Sequence, residues 1–412
     1  VIDNKLKVLV GVGGGIAAYK ACALVRYFTE AGHDVHVVPT ESALRFVGAA
    51  TFEALSGNPV STTVFDAVDE VRHVRLGQDA DLMVVAPATA DLMARLAQGR
   101  ADDLLTASAL VATCPVVIAP AMHTEMWRHP ATRDNVETLR RRGTVVLEPA
   151  HGRLTGVDSG AGRLPEPEHI GALALAAQER SGIFRQSLAG RRLLITAGGT
   201  HESLDPVRFL GNASSGRQGF ALADIAAQRG AQVELVAAYT DDLPVPSGAQ
   251  VTRVDSARDL EAAVAERAPG MDAVVMAAAV ADYRPASRAD AKLKKGGEDE
   301  LSSLVLTENP DILKGLVDRR RTGELREDLV IAGFAAETGD DTHSPLDHAQ
   351  AKLARKGCDL LMCNAVGDGL VFGQQDSAGW ILVPDADVTE VAPASKLVVA
   401  AQILDALEAL LP

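Results

Sequence analysis

The chain carries one demanding pattern twice: a short apolar run, a glycine turn, then an amphipathic helix. Residues 7–32 show it first, as KVLVGV passing through GVGGGIAAYK into helical apolar spacing over 16–31. Residues 193–230 show it again, in LLITAGGTHESLDPVRFLGNASSGRQGFALADIAAQRG. Each apolar run reads as a strand buried on both faces. Gly198 and Gly199 permit backbone turns that side chains resist. Ser214, Ser215 and Gly216 then open a helix that stops at Gly230. Strand, turn and helix N-terminus together present free N–H groups to an anion. A mid-chain restart of that device predicts two nucleotide-handling domains, over 1–186 and 187–412.

Further strand-like runs fall at 34–38, 82–86, 116–119 and 144–147 in the first half. The second half continues through 232–237, 272–276, 330–335 and 359–363 to a helix over 395–411. Strands alternating with helices predict an α/β fold, two Rossmann-like parallel sheets covered on both faces. Ligands in such sheets sit beyond the carboxyl ends of the strands, here 13–16, 40–42, 87–91 and 120–127. Residues 165–167 close the first domain, 168–179 are helical and 187–190 are the connector. The KGGEDE stretch at 295–300 reads as a mobile surface loop.

A net charge of −15 opposes a polyanion-binding surface, so nucleic acid is not an expected partner. No N-terminal signal and no bilayer-length apolar run is read, which predicts a cytoplasmic protein with no membrane partner. Cys22, Cys114, Cys358 and Cys363 lack metal-type spacing and read as reduced core thiols. The dinucleotide fingerprint fails, because Ile16 takes its third glycine position and Pro39-Thr40 supplies no ribose-binding acid. No P-loop occurs either. A tandem NAD(P)-dependent dehydrogenase is the competing reading, and these absences oppose it.

In order along the first half come GVGGGIAAYK, His73 in VRHVRLG, APATADLMARLAQGRADDLL and PAMHTEMW. Over about 7–167 the chain resembles the flavin-dependent cysteine decarboxylases, specifically the phosphopantothenoylcysteine decarboxylase half of bifunctional coenzyme A biosynthesis proteins. The resemblance implies a flavodoxin-like domain with FMN at Gly13, Gly14, Ile16, Thr40, Ser42, Ala88, Thr89 and Ser108. It implies that the flavin withdraws a hydride from the sulfur-bearing carbon, creating an electron sink for loss of CO2. His73 is then the catalytic histidine, suited to moving a proton near neutral pH. His123, Met126, Asp158 and Arg163 face the substrate. The chain departs from the family at Gly13, where Ser or Thr is usual, and at His123 and Asp91, where Asn is usual. Gly156, in HGRLTGVDSGAGRLPEP, stands where the family carries a proton-donating cysteine. The G-x-G-R-x-x-E-P pattern at 160–167 is intact, so Asp158, His123 or water is expected to donate instead. A flavin-binding regulatory module with an inactive site is the alternative.

The second half resembles phosphopantothenate–cysteine ligase through ITAGGTHESLDPVRFLGNASSG, AAAVADYRP, KLKK, ENPDIL, GFAAET and KLARKGCDLLMCN. The resemblance implies CTP bound by Ala278, Asp282, Lys292, Asn309, Pro310, Asp311, Ile312, Phe334, Lys352 and Lys356. Phosphopantothenate lies at Asn212, Ser214, Ser215 and Gly216, and Lys292 matches the family's essential lysine. A carboxylate is a poor acyl donor, so activation as an acyl-cytidylate is implied, with Mg2+ and lysines meeting the charge on phosphorus. Asn212 is placed to donate a hydrogen bond to the acyl oxygen when cysteine attacks. No metal ligands are assigned. The expected partners are the small-molecule substrates and further copies of the chain, as a dodecamer of flavin-domain trimers and ligase-domain dimers.

Overall fold

KVLVGV forms strand β1 (Lys7–Val12), buried at every position but Lys7. A strand with no polar face must be covered on both sides, and that requirement organises the first sheet. The computed structural model describes residues 5–63, 72–154, 159–293, 304–337, 343–365 and 376–412. They form two compact units, Val1–Phe184 and Arg185–Pro412.

In the first unit β1 lies between β2 (Asp34–Pro39) and β3 (Leu82–Ala88), followed by β4 (Val116–Pro120) and β5 (Val145–Val146). All four pairings are parallel. The covering helices are α1 (Ala21–Glu30), α2 (Ala49–Ser56), α3 (Arg72–Asp79) and α4 (Ala90–Gln98). They continue with α5 (Leu104–Val111), α6 (Thr124–Arg128), α7 (Pro130–Arg141) and α8 (Pro167–Glu179). Leu9, Met83, Val85, Leu104, Leu105, Ile118 and Trp127 share one core, each large side chain contributing about 2 kcal/mol by its burial. An antiparallel hairpin, β6 (Ala150–Arg153) and β7 (Ser159–Arg163), stands off this sheet.

Two expectations change. The segment 16–31 is a 3-10 turn at Ile16–Lys20 followed by α1, because the Ala18 N–H closes back onto Gly15 three residues earlier. The run 144–147 contracts to the two residues of β5, since Thr144 is still bonded to Leu139 at the end of α7.

The second unit begins with β8 (Arg192–Ala197), β9 (His201–Ser203), β10 (Phe209–Gly211) and α9 (Arg217–Gln228). Next come β11 (Gln232–Ala237), β12 (Ala249–Arg253), α10 (Ala257–Arg267) and β13 (Ala273–Met276). The chain continues through β14 (Tyr283–Pro285), β15 (Leu306–Glu308), α11 (Ile312–Arg321) and β16 (Val330–Glu337). It ends with α12 (Pro345–Lys356), β17 (Leu360–Ala365), β18 (Asp376–Leu382), β19 (Thr389–Ser395) and α13 (Lys396–Glu408). The large sheet has the order β12-β11-β8-β13-β16-β17-β18-β19. It is parallel as far as β17 and antiparallel at its last two strands. Sequence reading misses β12, β18 and β19, which lie at the sheet's margins and lack a continuous buried run.

Arg229, with no exposed side-chain surface, ends α9 and pairs with Asp405 at 2.8 Å and Glu408 at 2.6 Å on α13. A buried guanidinium needs such partners, and removing one leaves an uncompensated charge. The KGGEDE stretch lies outside the described residues. Among the described residues no helix is long and apolar enough to cross a membrane.

The thiols divide into two pairs. Cys358 and Cys363 are buried, whereas Cys22 and Cys114 are half-buried rather than core residues. Burial pushes the Cys358 and Cys363 thiols up to about 11. Since the thiolate is the reactive form, alkylation of the folded protein at mildly alkaline pH should label Cys22 and Cys114 before either of the others. Peptide mapping checks this, and denaturant should equalise all four.

Candidate active sites

In the first unit the strand order β2-β1-β3-β4-β5 reverses direction between β1 and β3, and a ligand crevice opens at such a switch point. Gly13 donates to the Pro87 carbonyl at 2.9 Å, and a Cβ there would sit 2.5 Å from that oxygen. A Cβ on Gly14 would approach the Ser42 Cβ to 2.3 Å. Both glycines are therefore required by close backbone approach. Thr40 is nearly buried and its Oγ1 accepts from Ala43 N at 3.2 Å, which turns the chain after β2. Ala88 ends β3, and Thr89 caps α4 by accepting from Leu92 N at 3.2 Å. Ile16 and Tyr19 project from the turn and are exposed.

His73 lies one helical turn before Gly77 on α3. A Cβ on Gly77 would sit 2.4 Å from the Ser108 carbonyl, so the His73 face of α3 presses against α5. Nδ1 of His73 and Oγ of Ser108 are both buried with no hydrogen-bond partner among the described residues. An unpaired buried polar atom costs about 1–3 kcal/mol, a cost that a polar partner placed here would remove. Glycine close approach at β1 and two unanswered polar atoms between α3 and α5 fit a flavin and its substrate.

The PAM segment is stitched to the β6–β7 hairpin. Met122 N donates to Gly162 O at 2.9 Å, and Thr124 Oγ1 donates to Ala161 O at 2.8 Å. His123 occupies the N-cap position of α6 without a capping bond from its side chain, and Met126 is exposed. Glu166 accepts from Arg163 Nη2 at 2.6 Å and from Lys20 Nζ at 2.9 Å. Neither Lys20 nor Glu166 was singled out from sequence, although Glu166 belongs to the G-x-G-R-x-x-E-P pattern. Asp91 is exposed and bonded to Arg95 at 3.1 Å. Gly156 and Asp158 lie outside the described residues.

In the second unit the direction reverses between β8 and β13. Gly198 (φ +82°) and Gly216 (φ +76°) occupy the left-handed region, and Gly216 caps α9. Added Cβ atoms would strike Tyr239 O at 2.2 Å and Thr240 Cγ2 at 2.4 Å. Asn212 donates from Nδ2 to Val280 O at 3.2 Å, joining the NASSG loop to the segment after β13. Ser214 N donates to Asn212 O, and Ser215 O accepts from Asp241 N. Two buried threonines fix the AAAVADY segment: Thr196 Oγ1 accepts from Ala278 N and Thr200 Oγ1 from Ala281 N, each at 3.0 Å. Sequence reading missed both threonines, whose partners are some 80 residues away. Asp282 is exposed, and its carbonyl accepts from Asn309 N at 2.8 Å.

The Asn309 side chain donates to Ala281 O at 2.8 Å and accepts from Arg284 at 3.1 Å. Asn309 therefore shapes the loop before Pro310. Asp311 caps α11 by accepting from Lys314 N at 3.1 Å, and Ile312 is buried directly behind it. Phe334, half-buried, lies on β16. Lys352 and Lys356 are a turn apart on α12, and each is held by an acid: Lys352 by Glu337 at 2.9 Å, Lys356 by Asp311 at 2.5 Å. Burial opposes the Asp311 charge, but Lys356 and the Lys314 N–H outweigh it and depress its pKa. Lys292 is exposed, close to the β9–β10 turn through its neighbour Leu293. Among the described residues no group of three or more His, Cys, Asp or Glu could hold a metal ion. Mg2+ arriving on a triphosphate needs as few as one or two carboxylates.

A flavodoxin-ordered sheet followed by a doubly wound nucleotide-type sheet, each with a glycine turn at its switch point, defines a tandem α/β protein for phosphate-bearing ligands. The family described as Flavoprotein matches residues 2–177, and the DNA/pantothenate metabolism flavoprotein C-terminal domain matches 188–411. The coenzyme A biosynthesis bifunctional protein CoaBC of Mycobacterium tuberculosis (strain ATCC 25618 / H37Rv) is 60% identical over 409 residues, covering 98% of both chains. Its counterpart in Bacillus subtilis (strain 168) is 42% identical over 413 residues, covering 99% of this chain and 98% of that one. A solved C-terminal domain of a CoaBC protein is 34% identical and covers 54% of this chain and 97% of its own, with a TM-score of 0.44. A solved PPC decarboxylase mutant complexed with pantothenoylaminoethenethiol is 31% identical and covers 43% and 100%, with a TM-score of 0.40. The chain belongs to the family of bifunctional coenzyme A biosynthesis proteins.

Replacing Gly14 with alanine should yield colourless protein, because the new Cβ collides with Ser42 at the turn that the family resemblance assigns to FMN. Visible absorption of the purified variant, with melting of the second unit as the folding control, reads this out.

Proposed function

We infer that the second unit joins cysteine to 4′-phosphopantothenate through an acyl-cytidylate made from CTP, and that the first unit decarboxylates the product with FMN. The observation that carries this reading is identity to bifunctional relatives extending over both units and nearly the whole of each chain. When bound, FMN supplies reversible hydride acceptance beside the sulfur-bearing carbon. The Gly13–Gly14 turn, Thr40, Ser42, Ala88, Thr89 and Ser108 hold it, with Ile16 against it. His73 moves a proton at Nδ1, the atom the fold leaves unanswered. His123 and Met126 present the substrate under the hairpin that carries Arg163. With Gly156 in place of the family's cysteine, Asp158, His123 or water returns the last proton.

In the ligase unit the α9 N-terminus, with Ser214, Ser215 and Gly216, takes the phosphate of phosphopantothenate. Ala278, Asp282 and the 309–312 loop enclose the base with Phe334. Lys292, Lys352 and Lys356 meet the triphosphate and its Mg2+. Asn212 turns from Val280 towards the acyl oxygen when charge develops there. Assembly into flavin-domain trimers and ligase-domain dimers belongs to the same proposal, and exposed Ile16 and Tyr19 are side chains such an interface or the cofactor would cover.

The test combines purified protein, phosphopantothenate, cysteine, Mg2+ and either CTP or ATP, with products identified by mass. 4′-Phosphopantetheine accompanied by CMP is the expected outcome. AMP in its place would reassign the nucleotide, and an untouched carboxylate would remove the ligase reading altogether.

A further inference from the structure

Asp205 is an acid that no step above employs, yet its side chain is completely solvent-excluded. Oδ1 accepts from the N–H groups of Val207 at 2.8 Å and Arg208 at 2.9 Å, closing the DPVR turn between β9 and β10. Oδ2 accepts from Arg208 Nε at 2.9 Å and Nη2 at 2.6 Å. The same Oδ2 accepts from Leu293 N at 3.3 Å, 88 residues away, while Arg208 Nη2 donates to Leu293 O at 2.8 Å. Next to Asp205, Leu204 O accepts from Ala289 N at 3.0 Å. The turn thus holds the backbone at 289 and at both polar groups of 293, on either side of Lys292.

We propose that Asp205, with Arg208, is a positioning residue: its carboxylate pins the backbone of Leu293 and so fixes where the Lys292 ammonium meets the nucleotide phosphates. The proposal rests on the ligase reading given above. Lys292 itself is exposed. A free lysine on a loop spreads its charge over many rotamers, and anchoring the adjacent peptide at two points narrows that spread before substrate arrives. The acid is suited to a permanent clamp. Burial works against its charge, but the Arg208 guanidinium and the N–H groups of Val207, Arg208 and Leu293 prevail and hold the carboxyl well below the usual carboxylate range. A group depressed in this way contributes its stability above its unfolded pKa and loses it as pH falls through the folded value. The clamp is therefore fully formed at and above neutral pH.

The full-length chain carrying Asp205→Asn tests this, with Arg208→Lys as a second variant that keeps the charge but loses the fork. Displacement of a phosphate-binding group by about an ångström costs on the order of 100-fold. Asp205→Asn should therefore slow pyrophosphate release from CTP by about 10- to 100-fold, with KM for CTP within about threefold and the loss constant across neutral and alkaline pH. In both variants the Leu293 amide should exchange hydrogen faster than in the unaltered chain. In a Lys292→Ala background, Asp205→Asn should add nothing further. Unchanged exchange at Leu293, or the same fractional loss with Lys292 already absent, would overturn the clamp. Failure of the unaltered protein to release pyrophosphate would instead remove the ligase reading on which the proposal rests.

Discussion

Replacing His73 with alanine is expected to lower decarboxylation by about 10²- to 10⁴-fold, the usual weight of a positioned proton-transfer group. The flavin spectrum and pyrophosphate release from CTP should both persist. The expectation follows from geometry. His73 is set against α5 by the close approach of Gly77 to the Ser108 carbonyl, and its buried Nδ1 has no partner among the described residues. Buried polar atoms are mostly hydrogen-bonded, so an open Nδ1 leaves this ring free to take a proton-transfer partner. Asparagine at this position would restore part of the polarity without a titrating group, so its activity should stay near that of the alanine variant. Supplying synthetic phosphopantothenoylcysteine and measuring CO2 release isolates this step from the ligase. Activity within threefold of the unaltered protein would return His73 to the role of an ordinary half-buried histidine.

Lys292→Ala should remove about 10²- to 10³-fold from pyrophosphate release, comparable to the loss of one preorganised charge-stabilising group. Lys352→Ala and Lys356→Ala should behave differently. Both lysines have carboxylate partners, Glu337 and Asp311, and in the proposed ligase reaction they would exchange them for phosphate oxygens. Their removal should chiefly raise KM, with kcat falling less than for Lys292→Ala. Steady-state kinetics with saturating phosphopantothenate separates the two patterns. A Lys292 variant with normal kcat and raised KM would place that lysine in ground-state binding.

The sequence made the interior of both sheets legible because their central strands are continuous apolar runs, two of them, β1 and β8, ended by glycine. β1, β8 and β13 need no tertiary information to be read, and a parallel sheet follows from their alternation with helices. β12, β18 and β19 have a mixed pattern of burial and were invisible for that reason. The glycine turns at Gly13–Gly14 and Gly198–Gly199 were also legible, since close backbone approach demands that residue type. What could not be read were the supports. Thr196, Thr200, Asp205 and Glu337 act on partners brought in from elsewhere in the chain, and no local spacing records such a contact. Asp205 alone carried a hint, the Asp-Pro step of a turn. The bonds of Asn309 to Ala281 and Arg284 are of the same kind, visible once the fold places them together.

The burial of Arg229 against Asp405 and Glu408 has a bearing on how the polypeptide is made. Its guanidinium waits for acids that leave the ribosome almost 180 positions later, so the second unit cannot settle its charge until that final helix has emerged. The first unit leaves the ribosome earlier and can mature during synthesis. A ribosome stalled ahead of Asp405 should consequently display one protease-resistant, yellow half trailing an unfinished one.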